Sequence, residues 1–286
     1  MFKLCRFLNS KSQIRIGLIH ADNTVSDLTL AGVELLTPLL ESEDLLPRLT
    51  ELAQAEMPKH PLSEVKLLSP VEKQEVWAAG VTYMRSKKAR MDESEFSASA
   101  YDRVYDAERP EIFFKSLPEK TVPTGEAVGI RRDAKWNVPE PELALVVNSR
   151  GGIVGCTIGN DMSSRDIEGE NLLYLPQAKM YDRACAVGPY IVVGASEDVI
   201  RSWTISITIS RGGQVVFSGE TSIDQIKRSF KELVGFLCRS QTFPHGAVLL
   251  TGTGIVPNDD FTLQSKDEVK ITVSGIGTLV NFVTVV

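Results

Sequence analysis

The sequence predicts a strand-rich α+β protein, with a small N-terminal α/β domain over residues 1–70 and a larger domain over residues 71–286. Three observations predict this. Short apolar runs bounded by turn residues recur along the chain, one strong helical period interrupts them in the second half, and Pro58, Pro61 and Pro70 punctuate the passage between the two parts.

Taken in order, residues 2–8 and 13–19 read as strands, Asp22-Asn23 as a turn, and residues 43–55 as a helix. From Val76 onward short strands dominate. Residues 142–148 and 153–160 flank Gly151-Gly152, which fits an antiparallel pair. Residues 203–210 and 214–218 flank Gly212-Gly213, and residues 269–274 and 278–285 flank Gly275-Ile276-Gly277, giving two hairpins. Between them Ile226, Phe230, Leu233 and Leu237 recur at i, i+4, i+7 and i+11, a helix with Asp224 as its N-cap.

Composition sets the class. Hydrophobic residues make up 43% of 286 residues, enough for a real core. Net charge is −6 and no dense basic stripe occurs, so nucleic acid is not an expected partner. Lys3, Arg6, Lys11 and Arg15 interrupt the start of the chain, and no 18-residue apolar run appears. No membrane association is expected, and the expected location is cytoplasmic. Cys5, Cys156, Cys185 and Cys238 lack C-x-x-C spacing and read as reduced, packed thiols. The mixed charges of residues 85–109 read as a solvated helix face, with a closing lid as the functional alternative.

The chemistry concentrates between residues 140 and 179. Glu140 and Glu142, two apart at the entrance of a strand, point to one face. Like charges held that close call for a cation or a proton. The following strand ends on Asp161, a third oxygen ligand, and no His or Cys is near in sequence. Hard oxygen donors favour Mg²⁺, with Mn²⁺ or Ca²⁺ as alternatives, over Zn²⁺. Taken alone, the same residues also read as solvated strand-end glutamates and an Asp helix cap.

The ordered set Glu140-x-Glu142, Asn160-Asp161-Met162-Ser163-Ser164-Arg165-Asp166-Ile167, Lys179 and Thr251-Gly252-Thr253-Gly254 resembles the fumarylacetoacetate hydrolase superfamily over roughly residues 75–286. The resemblance implies a mixed β-sandwich roll and a homodimer, with Glu140, Glu142 and Asp161 as metal ligands. It also implies Lys179 and Arg165 as catalytic-site residues and Thr253 as a substrate contact. Phe113-Phe114-Lys115-Ser116 is similar to the family's Phe-x-Lys-Pro segment, marking Phe114 and Lys115 as substrate-side residues. Where hydrolytic members carry a His after a Gly-x-Asn-Tyr turn, this chain has Gly80-Val81-Thr82-Tyr83 and then Ser86. Thr82, Tyr83 and Ser86 therefore line the expected substrate side.

Glu168, where the hydrolases commonly have Gln, and the stretch from Asp166 to Lys179 look like the 2-keto-3-deoxy-arabinonate dehydratase branch, which also dispenses with the His. The implied activity is a Mg²⁺-dependent lyase, a dehydratase of a small anionic 2-oxo-3-deoxy sugar acid. A 2-oxo acid can chelate the metal, which acidifies C3 and stabilises an enolate, and the C4 hydroxyl leaves by β-elimination. Lys179 and Glu168 are the acid–base pair, in an order the sequence leaves open. The alternative is a C–C hydrolase, decarboxylase or isomerase acting on a diketo or dienol acid. A third reading, a binding protein that keeps scaffold and metal without turnover, gives Lys179 little to do.

Overall fold

A computed structural model describes residues 1–84 and 103–286. Ser86 and most of the charged 85–109 run lie outside the described residues.

The first strands are β1 (Phe2–Leu8), β2 (Ile14–Ile19) and β3 (Thr24–Asp27), followed by helices α1 (Leu36–Leu40) and α2 (Leu45–Gln54). The Pro-punctuated stretch then holds two short strands that the sequence reading missed, β4 (Lys59–Pro61) and β5 (Lys66–Leu68). Next come β6 (Glu75–Gly80), β7 (Glu111–Ser116), β8 (Ala127–Ile130), β9 (Asn137–Val138), β10 (Pro141–Val147), β11 (Ile153–Asp161) and β12 (Ser163–Ser164). Helices α3 (Arg165–Glu170) and α4 (Leu175–Lys179) precede β13 (Cys185–Val193), helix α5 (Glu197–Arg201), β14 (Thr204–Arg211) and β15 (Gln214–Ser222). Helix α6 (Phe230–Leu237), β16 (Ala247–Leu250), β17 (Glu268–Val273) and β18 (Gly277–Val285) complete the chain.

An 11-stranded sheet runs in the order β4-β3-β2-β1-β13-β11-β10-β16-β6-β7, with β5 also on β1. A five-stranded sheet runs β15-β14-β17-β18-β8. The large sheet is mixed, since β16 pairs parallel with β6 while β10 and β11 are antiparallel. Its N-terminal strands are continuous with the rest through β1 and β13, where Lys3 faces Val192.

Strand alternation gives the central part of the large sheet two apolar faces. One, carrying Leu143, Leu145 and Ile158, meets Ile205, Ile207, Ile271 and Leu279 of the five-stranded sheet in the main core. The opposite face carries Val76, Ala78, Ala144, Val187, Val248 and Leu250. The functional carboxylates stand at the strand ends of that second face.

Local sequence fixes the register that aligns them. Asn148 Oδ1 accepts the N–H groups of Arg150 at 3.1 Å and Gly152 at 2.8 Å, closing the tight loop between β10 and β11. The helical period at residues 226–237 starts later than its apolar spacing predicts: α6 begins at Phe230 and is capped by Ser229, whose Oγ accepts the Glu232 N–H at 3.1 Å. Asp224 lies instead in a short 3₁₀ turn. The Ser-x-x-Glu spacing marks this start better than Asp224 does.

Candidate active site

Glu140 and Glu142 flank Pro141 at the entrance of β10, and Asp161 ends the neighbouring β11, because Pro141 pairs with Asn160 and Glu142 with Gly159. All three carboxylates are buried. A ligand oxygen from each lies within 4.8 Å of the others, which among the described residues is a ready metal-binding group.

Three buried cations hold Glu140 and Asp161 in place. Lys179, at the end of α4, donates to Glu140 Oε2 at 2.7 Å, Asp161 Oδ2 at 3.2 Å and Ser163 Oγ at 2.5 Å. Arg165, at the start of α3, donates to Glu140 Oε1 at 2.8 Å. Lys115, from β7, stands 2.5 Å from Asp161 Oδ1. Without such partners, Glu140 and Asp161 could not stay ionised away from water.

Glu142 is the least compensated of the three. Its Oε2 accepts the Gly252 N–H at 2.6 Å. Burial, then the Asp161 and Glu140 charges, push its carboxyl well above the usual carboxylate range, while Lys179 and the Gly252 N–H pull the other way. A divalent cation fits that imbalance, and an all-oxygen donor set suits Mg²⁺ better than Zn²⁺. Glu140, Glu142 and Asp161 would hold it.

The Gly252 turn is built around this contact. Gly252 has φ +92°, and a Cβ there would lie 2.1 Å from Thr82 Oγ1. The Thr82 hydroxyl donates to the Thr251 carbonyl at 2.6 Å. Thr82, expected on the substrate side, braces the turn with its hydroxyl. Tyr83 is likewise buried in the main core, where burial and then Glu142 raise its phenol above the ordinary range. Thr253 does line the cleft, and its Oγ1 donates to the Ile255 carbonyl at 3.2 Å. So does Val81, a β-branched residue with φ +52°, a conformation such side chains rarely adopt outside functional sites.

Strand β7 separates the residues of its Phe-Phe-Lys segment. Phe113, paired with Ala78, faces the site and Phe114, paired with Trp77, faces the other way, while a register shift between Phe114 and Ser116 leaves Lys115 at a bulge from which its ammonium reaches Asp161. Phe113 lines the cleft, with its ring centroid 5.8 Å from Lys179 Nζ. Phe114 packs edge-on against Trp77 at 5.8 Å. Lys115 is fully enclosed and hydrogen bonds the carbonyls of Met162 at 2.9 Å and Lys179 at 2.5 Å, bracing the end of α4. Glu168 is buried on α3, one turn beyond Arg165, and is not among the residues lining the cleft. Phe113, Gly252 and Ser163 were not singled out from sequence.

A buried all-oxygen trio with a lysine against it, set at the strand ends of a two-sheet roll, is the layout of a metal-dependent enzyme. Residues 75–284 match the family model described as fumarylacetoacetate (FAA) hydrolase C-terminal. The chain belongs to the fumarylacetoacetate hydrolase family. It is 52% identical over 217 residues to a probable 2-keto-3-deoxyxylonate dehydratase of Haloferax volcanii, covering 76% of this chain and 74% of that one. It is 37% identical over 287 residues to the 2-dehydro-3-deoxy-D-arabinonate dehydratase of Saccharolobus solfataricus, covering 98% and 95% of the two chains. Among solved structures, a 2-keto-3-deoxy-D-arabinonate dehydratase complexed with magnesium and 2,5-dioxopentanoate superposes with a TM-score of 0.84 at 34% identity, over 99% of each chain.

Proposed function

We propose that this protein is a Mg²⁺-dependent dehydratase of a 2-oxo-3-deoxy sugar acid, such as a 2-keto-3-deoxy-pentonate. The observation that carries the reading is the buried trio of Glu140, Glu142 and Asp161 with Lys179 against it, in a chain similar along nearly its whole length to such a dehydratase. A divalent ion held there supplies Lewis acidity toward the 2-oxo group.

The protein's own groups supply the rest. Lys179, which lines the cleft, moves the proton at C3 in this reading, while Arg165 fixes Glu140. Glu168, buried one helical turn from Arg165 and behind the cleft wall, is the remaining candidate for the second acid–base role. The Gly252-Thr253 turn, at the cleft wall, receives the substrate carboxylate. Loss of the C3 proton and of the C4 hydroxyl releases water, and tautomerisation of the product gives a 2-oxo acid semialdehyde. Residues 71–286 carry this chemistry, and residues 1–70 form the flanking N-terminal domain. No helix of the described residues is long and apolar enough to cross a membrane. A cytoplasmic homodimer completes the reading.

The test is a turnover assay with Mg²⁺, offering 2-keto-3-deoxy-pentonates beside acylpyruvates. Semialdehyde formation that EDTA abolishes, and that Lys179→Met lowers by about a hundredfold or more, is the expected result. Cleavage of acylpyruvate alone overturns it.

A further inference from the structure

We infer that Asn137 is a positioning residue of this site, aiming Arg165 and Ser163 at their partners through the hydroxyl of Ser164. Neither Asn137 nor Ser164 lines the cleft. The inference rests on Glu140, Glu142 and Asp161 being the metal ligands, and it extends the site to the strands that set their surroundings.

Two chain segments carry the carboxylates and Arg165. One runs through β9 into Glu140 and Glu142, and the other runs from Asp161 through β12 into Arg165. Strands β9 and β12 clip them together, since Ser163 pairs with Val138 and Ser164 with Asn137. The Arg165 N–H donates to the Trp136 carbonyl at 2.8 Å just beyond the ladder. Strands of two residues make a marginal ladder by themselves. A side-chain bond reinforces this one: Ser164 Oγ donates to Asn137 Oδ1 at 2.8 Å, with both residues buried. Asn137 is anchored in turn, because its N–H donates to Thr262 Oγ1 at 3.0 Å and its carbonyl accepts the Leu263 N–H at 2.9 Å.

The second observation is a helix that goes without its cap. Ser164 is the N-cap of α3, a position where a serine hydroxyl ordinarily accepts an N–H of the first turn. Here it gives α3 no such bond. Its hydroxyl is committed to Asn137, and the phenol of Tyr181, two residues past Lys179, also stands against it. Local rules of this kind are broken where function draws on the same side chain.

The neighbours of Ser164 show what that function is. Arg165 follows it and holds Glu140 Oε1 at 2.8 Å, while Ser163 precedes it and accepts Lys179 Nζ at 2.5 Å. Fixing the residue between them sets the direction in which both side chains leave the backbone. Releasing it loosens the partners of Glu140 and Lys179 without removing any group that touches substrate or metal.

The test compares Asn137→Ala, Ser164→Ala and the double variant with the natural protein. Mg²⁺ affinity is read by calorimetry, kcat and KM on a 2-keto-3-deoxy-pentonate, and folding by urea unfolding. Each single variant is expected to weaken Mg²⁺ binding and lower kcat roughly ten- to a hundredfold, the range for losing a group that orients a metal ligand, with KM changed less than kcat. The double variant should fall no further than the worse single one, because both remove the same hydrogen bond. Should Asn137→Ala not fold, Ser164→Ala, smaller by one oxygen, reads the same bond. A lowered urea midpoint with natural Mg²⁺ affinity and natural kcat, or losses that multiply in the double variant, overturns the assignment. Mg²⁺ affinity needs no substrate, so absence of turnover in the natural protein defeats the dehydratase reading alone.

Discussion

Lys115 Nζ donates to the backbone carbonyl of Lys179 at 2.5 Å, while the same ammonium stands 2.5 Å from Asp161 Oδ1. One buried cation therefore ties the end of β11, which carries a ligand, to the end of α4, which carries the lysine of the cleft. The sheet must curve for this to happen, since β7 is the edge strand and β11 lies four strands away in the sheet order.

Removing that cation should damage both stability and the site. Lys115→Met leaves Asp161 and two carbonyls buried without their ammonium, and breaking one side of a buried pair costs about 3–5 kcal/mol. Urea unfolding is expected to report a loss of that order, together with weaker Mg²⁺ binding by calorimetry. Lys115→Arg should not restore either, because a planar guanidinium does not fit a pocket shaped around a compact ammonium. A Lys115→Met protein of natural stability and natural Mg²⁺ affinity would show that the brace is dispensable.

Phe113 and Phe114 are adjacent in sequence and opposite in role. Phe113→Ala opens the cleft beside Lys179 and should lower kcat/KM roughly ten- to a hundredfold, as loss of positioning does, with a modest change in melting temperature. Phe114→Ala removes the edge-on partner of Trp77 and is expected to cost about 3 kcal/mol of stability, with kinetics largely kept. Steady-state kinetics and denaturant unfolding on the two variants read this directly. The reverse pattern would mean that the alternation of β7 is misassigned.

The four thiols should separate by burial. Cys5, Cys156 and Cys185 are buried and Cys238 is half-buried. Burial raises all four, with Cys156 and Cys185 pushed up to about 12. Only the thiolate reacts. Native protein with a thiol-disulfide reagent near pH 8 should therefore label Cys238 slowly and the other three only after unfolding. Rapid native labelling of Cys185, which lies across the ladder from Asp161, would mean that the site is open to reagent.

How much of this was legible in the sequence depends on the range over which each signal acts. The two strands ending in the carboxylates, with their Gly-Gly turn, are local features, and Glu140, Glu142 and Asp161 come together as their spacing implies, with Lys179 beside them as the family resemblance implies. The strands at Lys59–Pro61 and Lys66–Leu68 were not legible, because each exists only through pairing with a distant partner, β3 and β1 respectively. Thr82, Tyr83 and Lys115 lie near the site as expected, yet their polar atoms turn toward backbone carbonyls, Asp161 or the core. Sequence spacing places a side chain in a neighbourhood; which neighbour takes its hydrogen bond is decided by packing.

The last prediction concerns the competition between proton and metal at Glu142. In the metal-free protein its carboxyl is held well above the usual range, first by burial and then by Asp161 and Glu140. An unfolded glutamate titrates near 4.3. Between that value and the raised one, the folded state binds more protons than the unfolded state, so stability falls as pH rises through the window. The contribution is fully present below the unfolded value and is lost as pH climbs through the folded one. A divalent cation replaces the proton, and it does so more easily as pH rises. Melting curves in EDTA should therefore lose stability from weakly acidic toward alkaline pH, while the upward shift produced by Mg²⁺ grows over the same range. Glu142→Gln needs no proton and loses a ligand, so it should flatten the EDTA curve and abolish the Mg²⁺ shift together. If the Gln variant removes one effect and leaves the other, the group that titrates and the group that binds the metal are different residues.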